Sequence, residues 1–248
     1  MAEDNEIAVA LFDVLGFEDR IRRYSLREVH DQYMNLLRIA KTKGSHAFFD
    51  TRPTGDGRME TPVFGFIEIE QYYFSDTILL WTRFDSVRFR PFLHMCSAFI
   101  CEALQARLPI RGALALGEAI MDKQNRTYLG KPIVEAARAE KAQRWIGLGL
   151  GRSFIDKPHV YFNAELIRPY TRHGKPGSED VLSQLVVDWP RAWRKEHGTS
   201  AVQILEHLSY NSQVPEYYRC AIEFVRQSDE NPAWYKAYQP DLRRQSGA

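Results

Sequence analysis

The feature that most constrains the fold is a short apolar run near the N-terminus, EIAVALF at 6–12, which lies between acidic residues. An unbroken apolar run of this length, without polar alternation, is typical of a strand that is buried on both faces. Such a strand lies in the middle of a sheet, with other elements packed above and below it. The run ends at Asp13, and a turn containing Gly16 follows at once. The sequence therefore predicts a carboxylate at the end of a central strand.

The segments that follow predict helices packed on a sheet. Apolar residues at helical spacing from Phe17 to Ala40 predict a long amphipathic helix with an interruption near Ser25. The aromatic and β-branched stretch 64–84 predicts a tight hairpin with Asp76 at its tip. The next predicted elements are a helix, a strand and a third helix, at 87–108, 110–120 and 128–145. We therefore expect an α/β fold, an α+β sandwich in which helices flank a largely antiparallel central sheet containing a β-hairpin.

Beyond about residue 150 the periodic signal weakens. The glycine-rich stretch 147–151 (GLGLG) lacks the G-x-G-x-x-G spacing of dinucleotide sites and follows a helix, so we predict a loop there. The remaining expectations are a loop, a strand, a second loop and a pair of helices, at 43–62, 160–166, 172–180 and 199–228.

The composition argues against several classes of function. With 44% hydrophobic and 26% charged residues, the 248-residue chain is typical of a globular protein with a substantial core. A formal net charge of +1 provides no field that recruits nucleic acid or a membrane surface. No apolar run reaches the roughly 18 residues of a membrane span. The acidic start MAEDNE is unlike a signal peptide, and three widely spaced cysteines fit a reducing compartment. We expect a cytoplasmic protein with no nucleic-acid or membrane partner.

Two carboxylates are predicted to meet at one edge of the sheet. Asp13 ends the central strand, and Asp76 lies at the tip of a hairpin expected beside that strand. Two such carboxylates repel each other unless a cation lies between them. Paired Mg²⁺ or Mn²⁺ ions held in this way serve phosphoryl transfer, and the helix start after Gly16 favours phosphate. The alternative is that both are ordinary turn residues, since Asp is common in turns.

Four stretches carry a resemblance to a known family: ALFDVLGF, YYFSDTILLW, IRGALALGEA and YLGKPIVEAAR. In this order and at this spacing they resemble the class III nucleotide cyclase catalytic domain over roughly residues 6–145. The resemblance implies that Asp13 and Asp76 bind two divalent cations, Mn²⁺ or Mg²⁺. It also implies that Leu15, Gly16 and Phe17 form the phosphate-binding turn, and that Arg138 is the transition-state arginine. Residues 1–248 would then form a single cyclase-like catalytic domain with a C-terminal helical extension at about 185–240.

The departures from the family's pattern bear on the substrate. The family's purine-reading lysine is Tyr72 here, its second base-reading position falls on Thr127, and the asparagine that orients the ribose is Val134. A bulky Tyr72 favours a smaller base. In this respect the chain resembles the pyrimidine cyclases of bacterial anti-phage (Pycsar) systems. That resemblance implies cyclic UMP or cyclic CMP as the product, a separate effector that senses it, and activation during phage infection. Of the two substrates we expect UTP, which would be converted to cyclic UMP.

The family also implies a head-to-tail homodimer with shared sites. Asp13 and Asp76 of one subunit would face Tyr72, Thr127 and Arg138 of the other. Alternatives are a cytidylate cyclase, a purine (adenylate or guanylate) cyclase, and a catalytically silent cyclase-like domain with a regulatory role.

Some basic residues remain unassigned at this stage. Arg111 is expected either to reach a phosphate or the base or to pack at the sheet edge, and it is not assigned to the site. The basic residue for the triphosphate tail is left open among Lys141, Lys157 and Lys175.

Overall fold

The computed structural model describes residues 6–46, 52–53, 59–60, 69–85, 88–154, 157, 165–173, 181–210 and 212–234. The strands in these ranges are β1 (Glu6–Val14), β2 (Arg52–Pro53), β3 (Met59–Glu60), β4 (Glu70–Phe74), β5 (Thr77–Arg83), β6 (Ile110–Asp122), β7 (Thr127–Gly130), β8 (Gly147–Leu150), β9 (Ile167–His173) and β10 (Val181–Val187). The helices are α1 (Phe17–Arg23), α2 (Leu26–His46), α3 (Phe89–Gln105), α4 (Lys131–Ala142), α5 (Trp189–His197), α6 (Val202–Ser209) and α7 (Pro215–Glu230). None of these helices is both long enough and apolar enough to cross a membrane.

One large sheet organises the described chain, with the strand order β4-β5-β1-β6-β8-β10-β9 and β7 paired to the far end of β6. Strand β1 lies between β5 and β6 and runs antiparallel to both. All pairings in this sheet are antiparallel except that of β6 with β8, which is parallel. The predicted α/β fold, with helices flanking a largely antiparallel sheet that contains a hairpin, is confirmed.

The two faces of β1 enter different apolar clusters because side chains alternate along a strand. Ala10 and Phe12 lie in the large core, which also receives residues from α2, α3 and the C-terminal helices. Val9 and Leu11 lie in a smaller cluster under α4, together with Ala136 of that helix. Asp13 continues the second series, so its backbone position directs it to the face that α4 covers.

Three local predictions are confirmed by the structure. The first long helix is interrupted at Ser25, where a reciprocal cap starts α2: the Glu28 N–H donates to Ser25 Oγ, and the Ser25 N–H donates to Glu28 Oε2. The hairpin is formed by β4 and β5, with Ser75 and Asp76 in its turn and Ser75 at a φ of 57°. The pair of helices expected at 199–228 is present as α6 and α7.

Three predictions differ from the structure. The third helix begins at Lys131 rather than at residue 128, because Thr127–Gly130 pair with β6 as strand β7. The GLGLG stretch is not a loop, since its first four residues form β8 beside β6. Its glycine content has a packing cause: a Cβ on Gly147 would lie 2.0 Å from the Trp145 ring. The loop expected at 43–62 is wrong in part, because α2 continues to His46 and β2 pairs with β3.

Two other predicted segments fall mostly outside the described residues. They are the strand at 160–166, described only at its last two residues, and the loop at 172–180, described only at its first two. Strands β9 and β10, which the sequence did not predict, continue the sheet beyond the segment that resembles a cyclase.

Candidate active site

The structure brings Asp13 and Asp76 together at one end of the sheet. Asp13 lies next to last in β1, opposite Thr77 of β5, and Asp76 occupies the turn just before that threonine. The backbone N–H of Val14 donates to the carbonyl oxygen of Asp76 over 3.0 Å, which ties the hairpin turn to the end of β1. Two residues that are 63 positions apart in the sequence are therefore neighbours, as the sequence predicted.

The charge on Asp13 is costly in the folded protein. Burial raises the pKa of the Asp13 carboxyl, and the neighbouring Asp76 carboxylate raises it further. The Arg111 guanidinium opposes both effects without cancelling them. A divalent cation bound between the two partly buried carboxylates would offset their mutual repulsion.

Arg111, which the sequence left unassigned, is part of this site. It lies opposite Asp13 in the β1–β6 register, and its Nε donates to Asp13 Oδ2 over 3.1 Å. The same Nε lies 2.6 Å from Oε1 of Glu140 on α4, as an ion pair without good hydrogen-bond alignment. Burial raises the pKa of Glu140, with a further contribution from Asp13. Arg111 thus joins two carboxylates under α4.

Tyr33 of α2 is a second residue that the sequence missed. Its side chain is buried, its ring packs edge-on against Phe17, and its hydroxyl has no hydrogen-bond partner among the described residues. Burial raises the pKa of the hydroxyl, and the charges of Asp76 and Asp13 lie close enough to raise it further. The hydroxyl lies in the large core, on the face of the sheet opposite to the one that Asp13 enters, so it offers no donor to a ligand at the carboxylates.

The predicted phosphate-binding turn has a glycine in the left-handed conformation at the start of a helix, but two acidic residues follow it. Gly16 adopts a left-handed conformation with a φ of 75° and is exposed, and α1 begins at the next residue, Phe17. Leu15 donates its N–H to the carbonyl of Pro109 over 2.9 Å, which fixes the turn against β6. Because the first turn of α1 carries Glu18 and Asp19, an anion bound there would need bound cations to offset the nearby acidic charge.

Of the two predicted base-reading residues, Tyr72 packs against the apolar cluster under α4, whereas Thr127 begins β7 and its hydroxyl donates to the carbonyl oxygen of Asn125 over 3.3 Å. The ring of Tyr72 is 4.7 Å from that of Tyr128, centroid to centroid, and Tyr128 directly follows Thr127. Tyr128 also contacts Trp81 at 5.3 Å. The sequence did not single out Tyr128, which holds the Tyr72 ring in place.

Arg138 does not join the carboxylates of its own chain. It is exposed on α4, and it makes no hydrogen bond or ion pair with any described residue. Val134, one turn earlier, is 50% exposed on the same side of the helix. Arg138 therefore faces outward, away from the sheet beneath α4.

The lysines considered for a triphosphate tail divide into three cases. Lys141 is exposed on α4, Lys157 is 2.8 Å from Oε1 of Glu6 as an ion pair, and Lys175 lies outside the described residues.

The residues present fit a divalent cation in part. Within the described ranges, no group of three or more His, Cys, Asp or Glu residues could hold a metal ion. Asp13 and Asp76 supply two carboxylates, and hard cations such as Mg²⁺ complete their coordination with phosphate oxygens and water. The site therefore offers two carboxylate ligands to a cation, and water or the phosphate oxygens of a ligand would supply the rest.

No family model matches the chain, and no curated protein matches it by sequence. Among solved structures, the chain is similar to the monomeric guanylyl cyclase domain of the RhoGC fusion protein from the aquatic fungus Blastocladiella emersonii. The identity is 12%, the TM-score is 0.46, and the match covers 75% of this chain and 95% of that one. A double mutant of the same domain matches with 12% identity and a TM-score of 0.46, over 74% of this chain and 95% of the other. At this TM-score the likeness assigns no activity and no site residue to the chain.

The repulsion between the carboxylates predicts a pH-dependent effect of Asp76→Asn on stability. Because the pKa of Asp13 is raised, the folded state keeps a proton that the unfolded state releases as pH rises past about 4. Stability is therefore lost as pH rises through this window, and removing Asp76 recovers part of the loss. We expect Asp76→Asn to raise the free energy of unfolding by about 0.5–1 kcal/mol near pH 7.5 and by nothing near pH 4.

Urea denaturation without divalent cations at the two pH values measures this difference. Asp31→Asn, an exposed aspartate on α2, is the matched control. A variant that is destabilised near pH 7.5 would mean that the two carboxylates do not repel each other.

Proposed function

We propose that the chain is a nucleotidyl cyclase that converts UTP to 3′,5′-cyclic UMP and pyrophosphate. The observation that carries this proposal is the meeting of Asp13 and Asp76 at the end of β1, beside the Gly16 turn. In the reaction, the ribose 3′-oxygen bonds to the α-phosphorus while the bond from that phosphorus to pyrophosphate breaks. The hydroxyl proton passes to solvent.

The two carboxylates are proposed to hold two divalent cations, Mg²⁺ or Mn²⁺. When bound, such cations activate the hydroxyl nucleophile and offset the charge on the leaving pyrophosphate. Asp13 and Asp76 would hold the cations at the end of β1, and the 15–17 turn would bind the phosphates.

The outward position of Arg138 supports a site shared between two subunits. A guanidinium suits the charge that develops on the α-phosphoryl oxygens, because its planar donors match phosphate geometry. Arg138 makes no ion pair with the carboxylates of its own chain and has an exposed apolar neighbour in Val134. We propose a head-to-tail homodimer in which Asp13 and Asp76 of one subunit act with Tyr72, Thr127 and Arg138 of the other.

The proposed preference for uracil depends on Tyr72. Its ring packs against Tyr128 and so occupies space that a purine would need. The Tyr72 hydroxyl is proposed to contact the pyrimidine edge, Thr127 remains the proposed second base-reading position, and CTP is the nearest alternative substrate. The product would act through a separate cyclic-nucleotide-sensing effector, in the manner of anti-phage signalling.

A catalytically silent nucleotide-binding domain is the second candidate function. The ion pair between Arg111 and Asp13 favours it, because an arginine in contact with the carboxylate takes the place of part of a cation's charge. The exposed Arg138 counts against it, since a binding domain needs no arginine for a transition state.

The first test of the proposed function is product formation. The full chain is incubated with each of the four nucleoside triphosphates and Mn²⁺, and the products are identified by mass spectrometry. We expect cyclic UMP and pyrophosphate, and a fall of about 100-fold or more with Asp76→Asn, because a lost cation ligand removes transition-state charge stabilisation. Asp31→Asn is the control. Cyclic GMP or cyclic AMP as the main product would replace the uridylate assignment with a purine cyclase, and no cyclic product would favour the silent domain.

The second test is complementation between subunits. Asp76→Ala and Arg138→Ala are each expected to be inactive, since each removes one half of every site. Random mixing makes half of the dimers mixed, each with one intact site, so the mixture should recover about a quarter of wild-type activity. Arg27→Ala, an exposed arginine on α2, is the control for loss of a surface charge. A mixture as inactive as its parents would contradict the shared site.

The third test concerns the base. Tyr72→Lys is expected to shift the ratio of kcat/KM from UTP toward GTP or ATP by about tenfold or more, because a base-edge hydrogen bond replaces a ring contact. Tyr73→Lys, the next residue along β4 and directed to the other face of the sheet, is the matched control. An unchanged ratio would remove Tyr72 from base recognition.

A further inference from the structure

The C-terminal helix α7 reaches the candidate site through Tyr217. The hydroxyl oxygen of Tyr217 accepts a hydrogen bond from Nη1 of Arg111 over 2.9 Å and another from Nη1 of Arg144 over 2.8 Å. Its ring also faces the Arg111 guanidinium, with Cζ 5.4 Å from the ring centroid. Arg111 Nη1 donates in addition to the backbone carbonyl of Gln143, over 3.1 Å. One side of the guanidinium is therefore fixed by groups outside the carboxylate pair.

The other side of the same guanidinium faces the carboxylates. Its Nε contacts Asp13 at 3.1 Å and Glu140 at 2.6 Å. The side chains of Arg111, Asp13 and Glu140 are only 14%, 20% and 5% exposed, so their charges are poorly screened by solvent. Arg111 is thus held between an uncharged anchor behind it and two acidic groups in front of it.

We propose that Tyr217 is a positioning residue that holds Arg111 on Asp13 as a built-in counter-ion and so weakens the binding of divalent cations at the Asp13 and Asp76 carboxylates. This inference rests on the cation site of the proposed function. It assigns a role in that site to α7, which lies outside the segment that resembles a cyclase.

The physical basis is competition between two positive charges for one carboxylate. Arg111 Nε donates to Oδ2 of Asp13, so a cation bound to this carboxylate would lie close to the guanidinium, and the two positive charges would repel each other. Glu140 gives Arg111 an alternative partner, so the guanidinium can leave Asp13 without becoming an unpaired buried charge. The hydrogen bond from Arg111 to the Tyr217 hydroxyl keeps the guanidinium in place, so a cation displaces Arg111 from Asp13 less easily while this bond is present. Loss of the Tyr217 hydroxyl should therefore make cation binding tighter.

The test measures binding of Mn²⁺ alone, without nucleotide, by the loss of the free-ion electron paramagnetic resonance signal. The full chain is compared with Tyr217→Phe, Arg111→Gln and the double variant. Tyr210→Phe is the matched control, because Tyr210 is 88% exposed and lies before α7. Asp76→Asn reports on the cation site itself. Thermal unfolding without Mn²⁺ is recorded for every variant, so that a change in folding is seen separately from a change in affinity.

We expect a defined order of affinities. Arg111→Gln should tighten the Mn²⁺ dissociation constant by about tenfold and Tyr217→Phe by about threefold, as removal or loosening of a partly buried charge contact implies. Tyr210→Phe should match wild type, and the double variant should match Arg111→Gln, since Tyr217 acts through Arg111.

The outcomes separate this inference from the proposed function. If Asp76→Asn weakens Mn²⁺ binding while Tyr217→Phe leaves it at the wild-type value or weakens it, the inference about Tyr217 fails and the cation site survives. The inference also fails if Tyr217→Phe tightens binding equally with and without Arg111. If neither the wild type nor the variants with Asp76 intact bind Mn²⁺, the cation site fails and this inference fails with it.

Discussion

The arrangement of the candidate site depends on how the Asp13 carboxylate is accommodated at the end of the central strand. Asp13 lies where β1 leaves the core, between two neighbouring strands, so its carboxylate cannot turn freely to solvent. Asp76 on one side repels it, and Arg111 on the other side attracts it. The balance is unfavourable to the charged form, as the raised pKa of Asp13 shows. Carboxylates with perturbed pKa values are common at ligand sites, where a protein gives up some folding stability for function.

The sequence was informative where a short window determines the outcome. The apolar run 6–12 predicted the central strand, and the aromatic stretch around Asp76 predicted the hairpin, because strand and turn preferences are local. These two predictions sufficed to bring the two carboxylates together. The α2 start at Ser25 was also readable, since its cap uses a residue only three positions away.

The sequence was least informative where partners are distant. Arg111 is 98 positions from Asp13 and 106 from Tyr217, and only the β1–β6 register and the course of α7 bring them together. Tyr33 was counted as one apolar position of a helix, and nothing local marks its hydroxyl as unpaired. The strand Gly147–Leu150 was predicted to be a loop because it lacks the spacing of a dinucleotide site and follows a predicted helix. In the structure it pairs with β6, and the Trp145 ring requires the smallest residue at Gly147. Tertiary packing overrode local preference in each case.

The parallel pairing of β6 with β8 has a consequence for anyone who wishes to transplant this fold. That pairing joins the motif-bearing half of the sheet to β10 and β9, and Gly151 adds a bond to the Leu114 carbonyl across the same seam. A truncation after residue 145 would remove β8 and leave the backbone groups of β6 that pair with it, at 111–114, without partners. A shortened chain limited to the recognisable motifs would therefore expose a strand edge that can pair with other chains. A transferable domain needs the C-terminal strands and helices as well.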